Sequence, residues 1–409
     1  MIQRMTHPVF PIKRKGHTRY SPSYCNNYVC GILILILLSG CKTTNISLAH
    51  QEAWNKLSAY FTPPPIYRHN YGSYRSPLLF YNGDTVKTAN DWQKRRTEIK
   101  ERWMDMMGHW PPGMTGQQLE ILDTLKRENF RQCRVRFYWT PNEQTEGYLL
   151  IPDKKGKKPA VITVFYEPET AIGYGKMADR DFAYQLARRG FVTLSLGTTQ
   201  TTKDKTYSLY YPNIHHASLQ PLSALAYAAA NAWEALAKVQ EVDSTRIGIT
   251  GHSYGGKWAM FASCLFDKFA CAAWSDPGIV FDETKEGFIN YWEPWYLGYY
   301  PPPWTDTWNP QSTNTHGVYP KLRKEGFDLH ELHTLMAPRP FLVSGGYSDG
   351  PERWIPLNHT IAVNHLLGYA NRVGMTNRDK HDPNPESNET LYTFFEWYLS
   401  PERTQKTDK

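Results

Sequence analysis

A serine lies between two glycines in Gly251-His252-Ser253-Tyr254-Gly255. A serine hydroxyl is a weak nucleophile at neutral pH. It attacks a carbonyl only when a base removes its proton and a third group orients that base. The flanks provide a setting for such chemistry: residues 246–250 form a short β-like run into Gly251, and residues 257–265 a helix-like run out of it. A serine at the tip of so tight a strand–turn–helix has its oxygen raised above the sheet. Glycine at 251 and 255 relieves the crowding of the surrounding backbone.

With this strand order, an acid and then a histidine should follow the serine along the chain. The acid is expected just after a strand end. Asp349, in Ser344-Gly345-Gly346-Tyr347-Ser348-Asp349-Gly350, takes that place; Asp276, in Trp274-Ser275-Asp276-Pro277-Gly278, competes for it, and Glu352 is a third choice. The base is expected between the last strand and the closing helix, where His381 lies. His359 and His365 fall within a helical pattern, His330 and His333 precede the Asp349 strand, and His215 and His216 precede the serine. A tetrahedral intermediate carries a negative oxygen that needs two preorganised donors. One is expected from the backbone of Tyr254. The other should come from the loop after the strand at 160–166, hence from Tyr166 or Glu167.

The elements that must position these groups begin near Arg134. Residues 135–140 and 147–152 read as a hairpin, and 160–166 as a continuous apolar run suited to a buried parallel strand. Strands are also predicted at 191–196, 246–250, 271–275, 340–346 and 372–376. Helices are predicted at 179–189, 219–239, 257–265, 356–369 and 388–399. This alternation implies an α/β fold: a mostly parallel twisted sheet with helices on both faces and its site at the carboxyl ends of the strands. Residues 41–130 read as a helical amino-terminal extension. In it, Trp92, Ile99, Trp103, Met106 and Met107 recur at helical spacing. Residues 131–400 then form the sheet-bearing domain, with an insertion at about 279–338.

Residues 1–40 differ from the rest. They hold five basic residues and no acid, and end in an apolar run and Leu38-Ser39-Gly40-Cys41. These are the parts of an export signal. The whole chain has 46 basic and 39 acidic residues; beyond residue 40 the balance is 41 to 39, so most of the formal +7 belongs to this leader. The near-neutral remainder gives no reason to expect a nucleic acid as partner. Cys133, Cys264 and Cys271 remain beyond Cys41, with no metal-ligand spacing, and neither a metal nor another cofactor is expected.

On these residues, 134–399 resembles the α/β-hydrolase superfamily, in particular its bacterial carbohydrate-esterase and dienelactone-hydrolase-like branches. The resemblance to glucuronoyl esterases is partial. Their sugar-contacting lysine lies four residues after the serine, as Lys257 does, while Tyr254 stands where they carry an arginine. The segment ending in Cys41 resembles a bacterial lipoprotein signal, in which the cysteine receives the lipid. The resemblance implies a serine esterase anchored to a membrane of the bacterial cell envelope. Its substrate would be an acetyl, methyl or glucuronoyl ester of a polysaccharide or oligosaccharide. The aromatic stretch 291–308 suits sugar faces through Trp292, Trp295 and Trp304. Lys257, Arg353 and Arg180 are candidates to meet an acidic group. A peptidase or amidase of the same fold, or a glycan-binding lipoprotein on an inactive scaffold, are the alternatives.

Overall fold

The computed structural model describes residues 48–285, 287–304 and 316–401. The segment read as an export signal, Cys41 and the middle of the aromatic insertion lie outside the described residues.

A nine-stranded sheet forms the centre. Its strands are β1 (Glu120–Lys126), β2 (Phe130–Thr140), β3 (Glu143–Pro152), β4 (Lys158–Val164), β5 (Val192–Leu196), β6 (Val242–His252), β7 (Cys271–Ser275), β8 (Phe341–Gly345) and β9 (Val373–Asn377). They run in the order β1-β2-β3-β5-β4-β6-β7-β8-β9. The first three pair antiparallel, as do β3 and β5, and every later pair is parallel.

Successive strand residues point to opposite faces. Ala160, Ile162 and Val164 of β4 therefore enter one apolar core and Val161 the other. The same division separates Ala272 and Trp274 from Cys271 and Ala273, and Phe341 and Val343 from Leu342. Both faces are covered, which is why these strands read as unbroken apolar runs.

The larger core is closed by α2 (Ala89–Met107), α4 (Pro221–Leu236), α5 (Tyr254–Leu265), α7 (Leu329–Thr334) and α8 (Trp354–Leu366). The smaller is closed by α1 (Leu48–Leu57), α3 (Phe182–Arg188) and α9 (Pro385–Tyr398). A short α6 (Tyr319–Lys324) lies in the insertion between β7 and β8. Alanines let α4 lie close to α5, where the Trp258 indole donates to the Leu225 carbonyl at 2.6 Å.

The amino-terminal segment is built into these cores. Helix α2 opens on a capping box made by Thr88 and Asp91, and it buries Trp92, Ile99, Trp103 and Met107. Its buried Arg95 pairs with the buried Glu331 of α7 at 2.8 Å. Phe61 and Trp54 stack on Phe394 and Trp397 of α9. Strand β1 lies within the stretch that the sequence reads as helical extension, so the sheet begins earlier than Arg134. Its exposed residues, with one half-buried position, give no apolar alternation to read. Cys133, Cys264 and Cys271 are buried, and none of them forms a disulfide among the described residues. Among the described residues, no helix is long and apolar enough to cross a membrane.

Candidate active site

Ser253 stands at the junction of β6 and α5 with φ 56° and ψ −114°, a strained backbone for a residue with a side chain. Neighbouring groups enforce it. The Ser253 N–H donates to the Ser275 carbonyl at 2.8 Å, and the Ser253 carbonyl accepts from the Lys257 N–H at 2.9 Å. A Cβ at Gly255 would lie 1.9 Å from the Val164 carbonyl oxygen, and one at Gly251 would lie 2.4 Å from the Gly255 oxygen. Only glycine fits either position.

His381 lies in the loop between β9 and α9, and its Nε2 is 2.7 Å from the Ser253 Oγ. Its Nδ1 is 2.6 Å from Oδ2 of Asp276, the residue that follows β7. The carboxylate that orients His381 is thus Asp276, which corrects the expectation placed on Asp349. The loop after β8 bends so that its amides face the Asp276 carboxylate, and its own carboxylate does not reach the histidine. Gly346 and Asp349 donate their N–H groups to Asp276 Oδ1, and Ser348 donates its own to Oδ2. The Asp349 carboxylate turns away and accepts from the N–H groups of Gly278 and Ile279.

Burial alone would raise the Asp276 carboxyl. The hydrogen bond and charge of His381, with the nearby Arg378, outweigh it and hold the group below its ordinary range. Arg378, which sequence reasoning passed over, fixes the histidine loop. Its guanidinium donates to the carbonyls of His381, Ser344 and Asp382 at 2.7–2.8 Å. The spacing of three residues to His381 was the only available signal. His252 is buried 4.7 Å from the His381 ring, and burial, followed by the charge of His381, lowers it well below its usual value.

Tyr254 opens α5, so its N–H has no partner within the helix and is placed to donate beside Ser253. The Tyr166 carbonyl accepts from the N–H groups of Thr198 and Thr199, which fixes the loop after β4. The Tyr166 ring stacks on Tyr254 at 4.7 Å. Its hydroxyl accepts from Tyr207 at 2.7 Å and is turned toward the Ser253 side chain. Burial raises the phenol, so it stays protonated and can donate. The expected contribution of this loop is a backbone N–H of Tyr166 or Glu167; the structure also turns the Tyr166 hydroxyl toward Ser253.

Aromatic rings surround the pair. On the histidine side, Phe288 lies 5.0 Å from His381 and 4.8 Å from Tyr347. On the other, Tyr207 meets Trp295 at 5.6 Å, and Trp295 meets Trp304 at 6.2 Å. Tyr207, Phe288 and Tyr347 are 39, 37 and 47% exposed. None of these three was singled out in the sequence.

Three expected substrate contacts face inward instead. Trp292 is 3% exposed and packs on Tyr319. Arg353 is committed to Asp282 at 2.5 Å and cannot meet a substrate anion from there. Lys257 is buried, donates to the Phe288 carbonyl at 3.0 Å and lies over the rings of Tyr291 and Tyr296. Burial lowers it to about 8. Arg180 pairs with Asp382. Beside Lys257 and Trp295 lies Glu293, which burial raises to about 7.

The strand order and a strained serine between β6 and α5, held against a histidine and an aspartate, define the α/β-hydrolase fold. The prolyl oligopeptidase family model matches residues 228–353, and the dienelactone hydrolase family model matches residues 145–278. Both matches include Ser253 and Asp276, and neither reaches His381. No curated protein matches the sequence significantly. Among solved structures, the chain is similar to a glucuronoyl esterase from Solibacter usitatus, with a TM-score of 0.62 and 17% identity over 80% of this chain and 98% of that one. It is also similar to a carbohydrate esterase family 15 glucuronoyl esterase from Caldicellulosiruptor kristjansonii, with a TM-score of 0.57 and 22% identity over 85% and 96%. A putative acetyl xylan esterase from Bacteroides fragilis has a TM-score of 0.53 and 16% identity over 83% of both chains.

Proposed function

We propose that this chain is a serine esterase that cleaves a carboxylic ester on a saccharide. The observation that carries the reading is the hydrogen-bonded series Ser253–His381–Asp276. His381 Nε2 takes the Ser253 proton as the Oγ attacks the acyl carbon. The negative oxygen is met by the Tyr254 N–H and the Tyr166 hydroxyl. His381 then returns the proton to the departing alkoxide, leaving an acyl-serine. Water, deprotonated by the same nitrogen, releases the acid. Asp276 holds the ring in the right tautomer and stabilises the imidazolium.

Two observations favour a saccharide ester over other acyl substrates. The similar solved structures include esterases named for glucuronoyl and xylan esters. Exposed flat rings, those of Tyr207, Phe288 and Tyr347, stand around the serine, where they can cover the apolar faces of sugar rings. The leader ending at Cys41 supports export and lipid anchoring at the bacterial cell envelope.

Ser253→Ala is expected to lower turnover of acetyl, methyl or glucuronoyl saccharide esters by about 10⁴–10⁶-fold and to abolish labelling by a fluorophosphonate. Unchanged turnover of an active substrate by the variant would overturn the assignment. The match to the prolyl oligopeptidase family over residues 228–353 favours a second reading as a peptidase. Cleavage of peptide amides without cleavage of esters would establish that reading in place of the first.

A further inference from the structure

Beneath His381, two loops exchange carboxylates. The turn after β7 carries Asp276, whose oxygens bind three N–H groups of the turn after β8: Gly346 at 2.7 Å, Asp349 at 2.9 Å and Ser348 at 3.2 Å. The turn after β8 carries Asp349, whose oxygens bind two N–H groups of the turn after β7: Gly278 at 2.8 Å and Ile279 at 2.7 Å. Both carboxylates are wholly buried. The backbone is shaped for the exchange. Asp276 has φ 49° and Gly278 φ 78°, and a Cβ at Gly346 would lie 2.9 Å from an Asp276 oxygen.

We propose that Asp349 is a positioning residue of the triad, which fixes the turn bearing Asp276 and adds a second negative charge behind His381. This inference rests on the serine-esterase reading of the site.

The charge argument separates this role from simple bracing. Burial raises the Asp349 carboxyl to about 6, the adjacent Asp276 adds to the rise, and Arg353 and the two N–H groups oppose it. The folded state therefore binds this proton more tightly than the unfolded chain does. Its ionisation costs stability as pH rises from the ordinary carboxyl range through about 6. A neutral acceptor would brace the turn without that cost. What the charge adds is negative potential at His381, which favours the imidazolium formed when Ser253 loses its proton. The charged and titratable groups that face Asp349 come from several elements. They are Asp276 after β7, Arg353 at 3.8 Å before α8, Lys257 of α5, Tyr291 of the insertion and Arg378 before α9. Asp282 and Glu352 in turn hold Arg353.

The test is the pH dependence of kcat/KM on a soluble activated acyl ester, for wild type, Asp349→Asn and Asp276→Asn. Asp349→Asn should lower kcat about 10- to 100-fold with KM within twofold. It should also move the acid limb to lower pH, because less negative charge supports the imidazolium. The limb should become shallower as well, since one of two protonations is gone. A rate within twofold of wild type, or a loss of rate and thermal stability with an unmoved limb, would overturn the positioning role. Asp276→Asn should lower kcat about 10⁴-fold. Full activity in that variant would instead remove Asp276 from the triad, whereas unchanged turnover by Ser253→Ala would overturn the serine-esterase reading itself. If Asp349→Asn does not fold, Arg353→Gln serves as the second arm. Loss of the cation raises Asp349 further, so the acid limb should move to higher pH. An unmoved limb there would also count against the proposal.

Discussion

Two regions meet at Ser253, and they are built on different terms. On one side, the turns after β6, β7 and β8 and the loop after β9 present polar groups whose hydrogen bonds are almost all accounted for. On the other, the insertion between β7 and β8 presents rings, and among its described residues several of the aromatics are spent on the core. Tyr291, Trp292, Tyr296 and Tyr319 are buried, while Phe288 is exposed and Trp295 is half-buried. The polar side is specified by topology, because strand order and register bring its groups to one edge of the sheet. The aromatic side is specified by packing. Similar residues a few positions apart become core or surface according to how the insertion folds back.

Removing the Tyr166 hydroxyl probes the polar side most sharply. If this hydroxyl donates to the negative oxygen, Tyr166→Phe should lower kcat about 10- to 100-fold with little change in KM, somewhat less than the loss of a fully committed oxyanion donor. The phenyl ring keeps its stack on Tyr254, so thermal stability should hold. A kcat within twofold of wild type would leave the oxyanion to backbone donors alone.

The same contrast explains what could be read from the sequence. Apolar runs such as 160–164 and the tight glycine–serine–glycine turn are enforced locally, and they identify the sheet and the nucleophile. His381 follows from its place between the last strand and the closing helix. Asp276 and Asp349 both follow strands and both lie beside glycines. Which of them meets the histidine depends on how two loops cross, and spacing along the chain does not record that. Tyr207 and Phe288 had no local signature. Trp292 and Trp295 carry the same indole three residues apart, and only their surroundings distinguish them. Lys257 shows the same limit: its spacing from Ser253 is that of a sugar-contacting lysine, but its ammonium is taken by the Phe288 carbonyl.

Those two tryptophans separate packing from recognition within one segment. Trp292→Ala leaves a cavity in the core and should cost about 3–5 kcal/mol of stability. At a temperature where the variant is folded, its KM for a saccharide ester should stay near that of wild type. Trp295→Ala should lower the melting temperature less and raise KM several-fold, with kcat on a small acyl ester unchanged. Thermal melts and the two substrates read both effects. Equal stability losses with no change in KM would place Trp295 with the core.

Glu293 is where the two regions interpenetrate: a carboxyl of the insertion beside the ammonium of a helix that begins at the nucleophile. Burial raises it from 4.5 to about 7, while Lys257, Trp295 and Asn290 oppose the rise without cancelling it. The sign of the consequence is fixed. A carboxyl whose folded value lies above its unfolded value binds its proton more tightly in the folded state. The stability it contributes is therefore complete below about 4.5 and is lost as pH rises through about 7. A shift of this size corresponds to a contribution on the order of 1–3 kcal/mol, reduced by whatever water reaches the group. Glu293→Gln should remove it. The difference in melting temperature, variant minus wild type, should increase from pH 5 to pH 8, with the variant the more stable at the upper end. A difference that stays constant over that range would mean that Glu293 is solvated like an ordinary surface carboxylate. The aromatic side would then be more open to water than its buried rings imply.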